Sequence, residues 1–196
     1  MNVCIYGASS DAIDMCYKEA AWELGRKLAE ASFGMVFGGG ATGLMGAAAR
    51  GLRSADSSVC QDQTVHRVPL IGVAPRFFDK PGVLYQDCSE MIWTDTMRER
   101  KQIMEDRSQA FIVLPGGIGT FEEFFEILTL RQLKRHDKPI ILYNVNGYYE
   151  QIRKLLCHAV EEGFMAGQQL ELCSFAKNAE EILEKLHVLL ENSQKV

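Results

Sequence analysis

Three stretches of this chain carry residue types that do chemistry. The first reads Pro115-Gly116-Gly117-Ile118-Gly119-Thr120-Phe121-Glu122-Glu123. An apolar run over 110–114 leads into it, and a helical pattern of Phe121, Phe124, Phe125 and Leu128 leads out. A strand, a glycine turn and a helix start, in that order, present backbone N–H groups to an anion. Glycines at 116, 117 and 119 let the backbone approach a ligand without a Cβ in the way. The N–H groups of Gly117, Ile118, Gly119 and Thr120 are the candidate phosphate donors. Glu123 admits two readings. With Thr120 three residues earlier it matches a capping box, in which the glutamate only ties off its own helix. It also shares a helix side with Ile127 and Leu130, at a packed boundary where a carboxylate can act on a substrate. Glu122 and Glu126, four apart, pattern as a solvated face.

The second stretch holds Met97, Arg100, Lys101 and Met104, spaced to share one helix face. Two cations on a methionine stripe suggest a pocket wall facing an anionic ligand or a carboxylate; the plainer use is two long side chains snorkelling to the surface. Arg98, Glu99, Glu105 and Asp106 read as a charged outer face. The third stretch is Gly38-Gly39-Gly40-Ala41-Thr42-Gly43. It fits the dinucleotide spacing formally, but the next strand ends Val73-Ala74-Pro75, with no acid to hold a ribose. That disfavours NAD. Gly39 and Gly40 better serve as a small-molecule rim, joined by Ser9 after the first strand. The four histidines look incidental, and Tyr148-Tyr149 reads as packing at a helix start.

These stretches need elements to place them. Apolar runs at 3–6, 35–37, 70–73, 89–93, 111–114 and 139–143 alternate with helical patterns at about 14–32, 44–52, 96–107, 121–133 and 148–162, and a last helix spans about 179–190. Strand–helix alternation implies a parallel sheet covered on both faces, a Rossmann-like doubly wound α/β fold whose ligands sit at the carboxyl ends of the strands. Each glycine cluster falls at such an end. The 54–67 stretch is polar and aperiodic and reads as a surface loop; 77–87 is a second irregular stretch with a turn at Pro81-Gly82.

Length and composition agree with one ordinary globular domain over 1–196. A net charge of −5 argues against a nucleic-acid binder. The six scattered cysteines form neither a disulfide framework nor a zinc site and read as reduced thiols. With no leader-like N-terminus and no long apolar run, the expectation is a cytoplasmic protein without a membrane span.

Together these residues resemble the LOG family, the cytokinin riboside 5′-monophosphate phosphoribohydrolases and their bacterial relatives, some of which have carried the label lysine decarboxylase. The 115–123 run matches the family's Pro-Gly-Gly-x-Gly-Thr-x-x-Glu signature in full. Met97-x-x-Arg100-Lys101 looks like its second signature, and the glycine run from Gly38 to Gly46 is similar to its glycine-rich loop. The segments at 136–139 and 144–149 also look like family segments. Arg98 stands where a histidine is common. The resemblance implies Arg100 and Glu123 as the catalytic pair. It implies nucleotide contacts from Met97, Lys101, Thr129 and the run Gly117, Ile118, Gly119, Thr120, Phe121, Glu122 and Glu123. It further implies hydrolysis of a nucleoside 5′-monophosphate to free base and ribose 5-phosphate, a homodimer with active sites near the interface, and neither metal nor cofactor. Two rival readings are a non-catalytic nucleotide or cofactor carrier on the same fold, and a PLP decarboxylase. The second needs a Schiff-base lysine with a pyridinium partner, and Lys101 is the only lysine in the motifs.

Overall fold

The computed structural model describes residues 1–56 and 67–193. Strand β1 (Asn2–Tyr6) sends Val3 and Ile5 into one buried cluster and Cys4 and Tyr6 into another. A strand apolar on both sides must be covered on both sides. Helices α1 (Met15–Glu30), α2 (Gly43–Asp56) and α6 (Ala179–Ser193) supply the first cover, through Leu24, Leu28, Ala48, Leu52, Ile182 and Leu186. Helices α3 (Met97–Asp106), α4 (Ile118–Gln132) and α5 (Glu150–Glu161) supply the second, through Met104, Phe124, Ile127, Leu128 and Leu156.

Between these layers lies a seven-stranded sheet, parallel throughout, in the order β4-β3-β2-β1-β5-β6-β7. Its further members are β2 (Gly34–Phe37), β3 (Leu70–Pro75), β4 (Glu90–Thr94), β5 (Ala110–Val113), β6 (Ile140–Tyr143) and β7 (Ser174–Ala176). The chain winds outward from β1 to β4, then returns to the other side of β1 and winds outward again. The fold is therefore the doubly wound one the alternation implied. Its direction reverses between β1 and β5, where such sheets open a crevice. The register there pairs Ile5 with Ile112 and Tyr6 with Val113, so the loops that follow both strands start side by side.

Some boundaries differ from the sequence reading. Helix α4 starts at Ile118, before the apolar pattern begins, because the glycine loop itself supplies the first turn. Helix α2 continues past Leu52 to Asp56 and takes in Ser54. The rest of the loop expected at 54–67, with Cys60 and His66, lies outside the described residues apart from Arg67. Strand β7 was not anticipated: its three residues are too few to show a period. The irregular 77–87 stretch opens in a 3₁₀ turn at Arg76–Phe78 and is tied to the glycine loop after β2 by an isolated antiparallel bridge between Leu84 and Gly40. Among the described residues no helix is long and apolar enough to cross a membrane.

Candidate active site

Helix α4 is capped by the extended backbone of Gly117, with no side chain closing its first turn. Its leading N–H groups therefore point out of the helix with no carbonyl inside it to meet them. Thr120 lies in that turn, folded so tightly over Gly116 that a Cβ on the glycine would sit 2.1 Å from its hydroxyl oxygen. Glu123 comes one turn further on. The capping-box reading of Glu123 does not hold, because the helix begins at Ile118 and Glu123 lies too deep to reach the cap. The capping box in this region is on α3, where Thr96 and Glu99 exchange hydrogen bonds, so Glu99 is more than part of a charged outer face.

Glu123 instead meets Arg100. The Arg100 Nη1 donates to Glu123 Oε1 at 2.8 Å, and both residues are buried, 6% and 8% exposed. The Arg100 Nε donates to the Val73 carbonyl within β3, at 3.2 Å. Its Nη2 lies where a Cβ on Gly38 would be, 2.1 Å from that position, so only glycine at 38 leaves room for the guanidinium. Four segments thus fix one pair: α3 and α4 supply the charges, and β3 and the loop after β2 supply the seat. Burial pushes the Glu123 carboxyl above its ordinary range; the Arg100 charge opposes this without cancelling it.

The pair lies at the wall of a cavity of about 620 Å³ between the loops after β1, β2 and β5. The cavity occupies the crevice set by the reversal between β1 and β5. Of the residues expected around a ligand, Ser9, Gly40 and Met97 line it, as do Gly117, Gly119, Thr120 and Glu122. The others are placed elsewhere. The Ile118 side chain is 82% exposed and points to solvent. Phe121 packs into the core beneath α4. Thr129 sits far along α4, exposed, its hydroxyl donating back to the Phe125 carbonyl at 2.7 Å. Gly39 turns away with φ 74°, its carbonyl accepting from the Tyr85 amide. Lys101 does not face the cavity: its ammonium bridges Glu122 and Glu126, the latter at 2.7 Å. The cation stripe on α3 therefore meets carboxylates of α4 twice, once inside and once at the surface.

Features that sequence reasoning missed complete the site. Met45, Phe78, Val83 and Leu84 give the cavity an apolar wall; Phe78, Val83 and Leu84 come from the irregular stretch, whose lack of period hid them. The Tyr148-Tyr149 pair does more than pack. The Tyr149 hydroxyl donates to the Leu114 carbonyl at 2.6 Å and the Tyr148 hydroxyl to the Gly116 carbonyl at 2.5 Å. His136 is structural, its Nε2 2.9 Å from the Ile127 carbonyl and its ring against Phe111. Among the described residues no group of three or more His, Cys, Asp or Glu could hold a metal ion.

A doubly wound parallel sheet with a helix-capped glycine loop and a buried Arg–Glu pair at its topological switch defines a Rossmann-like protein with an anion-receptive crevice. The chain belongs to the LOG family. The family model described as "Possible lysine decarboxylase" matches residues 45–186. Two cytokinin riboside 5′-monophosphate phosphoribohydrolases of Arabidopsis thaliana are each 35% identical to it. One aligns over 94% of this chain and 76% of its own length, the other over 100% and 86%. A probable enzyme of the same name from Oryza sativa subsp. japonica is 34% identical over 100% of this chain and 75% of its own. Among solved structures, a Moco carrier protein from Chlamydomonas reinhardtii superposes with a TM-score of 0.70 at 20% identity, covering 97% of this chain and 98% of that one. A molybdenum cofactor binding protein from Rippkaea orientalis gives 0.67 at 18% identity over 96% and 95%. At such identities the likeness is one of fold.

Proposed function

We propose that the protein is a hydrolase that cleaves the N-glycosidic bond of a nucleoside 5′-monophosphate, releasing the free base and ribose 5-phosphate. The observation that carries this reading is the Arg100–Glu123 pair, buried against a cavity that also receives the open N-terminus of α4. The names of the relatives at 35% identity support it.

In this reading the 5′-phosphate lies on the amides of the 117–120 loop, and its binding energy holds the sugar for a reaction several bonds away. The C1′–N bond breaks with its electron pair leaving on the base, which takes up a proton. Water supplies the new C1′–O bond. The sugar carries positive charge in the transition state, as in other glycoside cleavage. Glu123 serves that charge, as electrostatic partner, nucleophile or base to water. Arg100 keeps the carboxylate oriented and offers its remaining edge to the substrate. The apolar wall of Met45, Phe78, Val83 and Leu84 suits a base bearing an apolar substituent, such as an N6-alkylated adenine.

We also infer a homodimer with the two active sites near the interface, in a cytoplasmic setting. Ile118 beside the cavity and Phe164 after α5 are 82% and 85% exposed, which suits burial against a second copy. Sedimentation giving a monomer at micromolar concentration would remove that part.

The deciding experiment is a panel of nucleoside 5′-monophosphates, N6-substituted and plain, scored for ribose 5-phosphate and free base. Release from at least one nucleotide, and little from its nucleoside, is expected. Tight binding with no release from any would favour the carrier reading. A decarboxylase built on a Schiff base is disfavoured, because no lysine is among the residues lining the cavity.

A further inference from the structure

Three successive carbonyls of the loop after β5 accept hydrogen bonds from other elements. Leu114 accepts from the Tyr149 hydroxyl at 2.6 Å, Pro115 from the Ala8 amide at 3.0 Å, and Gly116 from the Tyr148 hydroxyl at 2.5 Å. The last of these acts on an unusual peptide. The Gly116–Gly117 unit has no Cβ on either side, so its plane can rotate at little steric cost. In a trans peptide the C=O and the following N–H point in opposite directions. Tying the Gly116 oxygen back toward α5 therefore aims the Gly117 N–H the other way, toward the cavity that Gly117 lines. A rotated plane would turn an oxygen toward a bound phosphate instead of a donor.

Tyr148 is itself held firmly. It follows Asn146 and Gly147, both in left-handed conformations with φ of 49° and 74°. The Asn144 side chain accepts from the Tyr149 amide at 2.7 Å and donates to Glu150 at 2.7 Å. The Tyr148 ring stands edge-on to Tyr17 and Tyr149, with centroids 6.1 and 5.0 Å away. A phenol on a hydrogen-bonded turn, directed at the Gly–Gly peptide of this loop, is built as a latch.

We infer that Tyr148 is a positioning residue that fixes the Gly116–Gly117 peptide plane and so prepares the loop for the 5′-phosphate. The inference rests on the nucleotide reading above. It makes phosphate recognition depend on a hydroxyl of the β6–α5 connection, outside both signature motifs and outside the cavity lining.

The test is Tyr148→Phe, which keeps the ring contacts and removes the donor. The affinity for ribose 5-phosphate, measured by calorimetry, should fall about 3- to 10-fold, the worth of one hydrogen bond. KM for the nucleotide should rise by a similar factor while kcat changes little, because binding common to ground and transition state is what is lost. The urea midpoint should move little. Unchanged ribose 5-phosphate affinity would overturn the inference. So would a matched fall in kcat and stability, which a purely structural role would produce. A wild-type protein that binds ribose 5-phosphate and loses that binding on Tyr148→Phe, yet releases no base from any nucleotide, would sink the hydrolase reading and leave the latch standing. A wild-type protein that binds ribose 5-phosphate no better than ribose would overturn the latch.

Discussion

Removing the Arg100 charge tests the centre of the site. In Arg100→Gln the Glu123 carboxylate keeps its buried position, 8% exposed, and loses the partner now 2.8 Å away. Two unit charges about 4 Å apart attract by about 4 kcal/mol at an effective dielectric of about 20. Stripping one member from a buried pair costs about 3–5 kcal/mol, because the other charge is left without compensation. The cost should depend on pH in a defined direction. Burial already raises the Glu123 carboxyl above its ordinary range in the folded protein, and Arg100 opposes the rise. Without Arg100 the folded-state value climbs further above the unfolded one. The folded state then holds the proton more tightly than the unfolded state. Stability is fully present below the ordinary carboxylate range and is lost as pH rises through the raised value. Urea melts of wild type and Arg100→Gln at about pH 5 and about pH 8 should therefore give a larger difference at the higher pH. Adding Glu123→Gln removes the orphan charge, so the double variant should be more stable than Arg100→Gln at the higher pH, and its difference from Glu123→Gln should change little with pH. Equal destabilisation by Arg100→Gln at both pH values, or a double variant less stable than that single one at the higher pH, would refute the reasoning.

Glu123→Gln should bind nucleotide while losing about 10²–10⁴-fold in kcat, the range for removing one acid–base group; single-turnover assays with a binding control check it. In the proposed reaction Glu123 acts as its carboxylate, so the acid limb of the wild-type kcat profile should lie above the ordinary carboxylate range, since burial raises the Glu123 carboxyl. A limb below that range would contradict this. Gly38→Ala places a methyl 2.1 Å from the Arg100 Nη2; kcat should drop at least about tenfold while overpacking costs about 1–3 kcal/mol in urea melts. Phe78→Ala should lower kcat/KM for an N6-alkylated nucleotide about 10-fold or more and that for the unsubstituted nucleotide by much less, read from paired steady-state kinetics.

The fold was legible because six of its seven strands announce themselves as apolar runs and each glycine cluster marks a strand end. The seventh, Ser174–Ala176, could not be read: three residues carry no period, and its pairing with β6 is decided by tertiary contact. Arg100 and Glu123 were legible as residue types on apolar helix sides. Their meeting was implied by the family resemblance, not by pattern alone, because it depends on α3 and α4 both lying on one face of the sheet, and the 2.8 Å contact bears it out. Lys101 shows the limit of pattern: it shares the helix side with Arg100, yet its neighbour position turns it toward Glu122 and Glu126. Thr129, which only the resemblance implied, lies exposed along α4 and outside the cavity lining, its hydroxyl donating to its own helix. The role of Gly38 was invisible for another reason. In a run of three glycines nothing in the sequence says which one faces a guanidinium.

The two cations of α3 also explain why the inner one must be an arginine. A lysine is a single charged point on a flexible stem, and Lys101 behaves as one, bridging two surface carboxylates. Arg100 meets demands in several directions at once: Glu123 on Nη1, the Val73 carbonyl on Nε, and Nη2 lying over Gly38 at the cavity wall. A planar fork satisfies these together with little loss of freedom for each bond formed. Each constraint comes from a different segment — α4, β3 and the loop after β2 — so the guanidinium is fixed before any ligand arrives. A protein that merely stored an anion would gain more from a mobile cation in the cavity than from one bound to a buried carboxylate. Buried ion pairs contribute little net stability, and apolar replacements often hold a fold better. An arginine seated between β3 and the loop after β2, orienting an acid beside an open glycine loop, accords with the role proposed for that acid, which is to answer positive charge developing on a bound sugar.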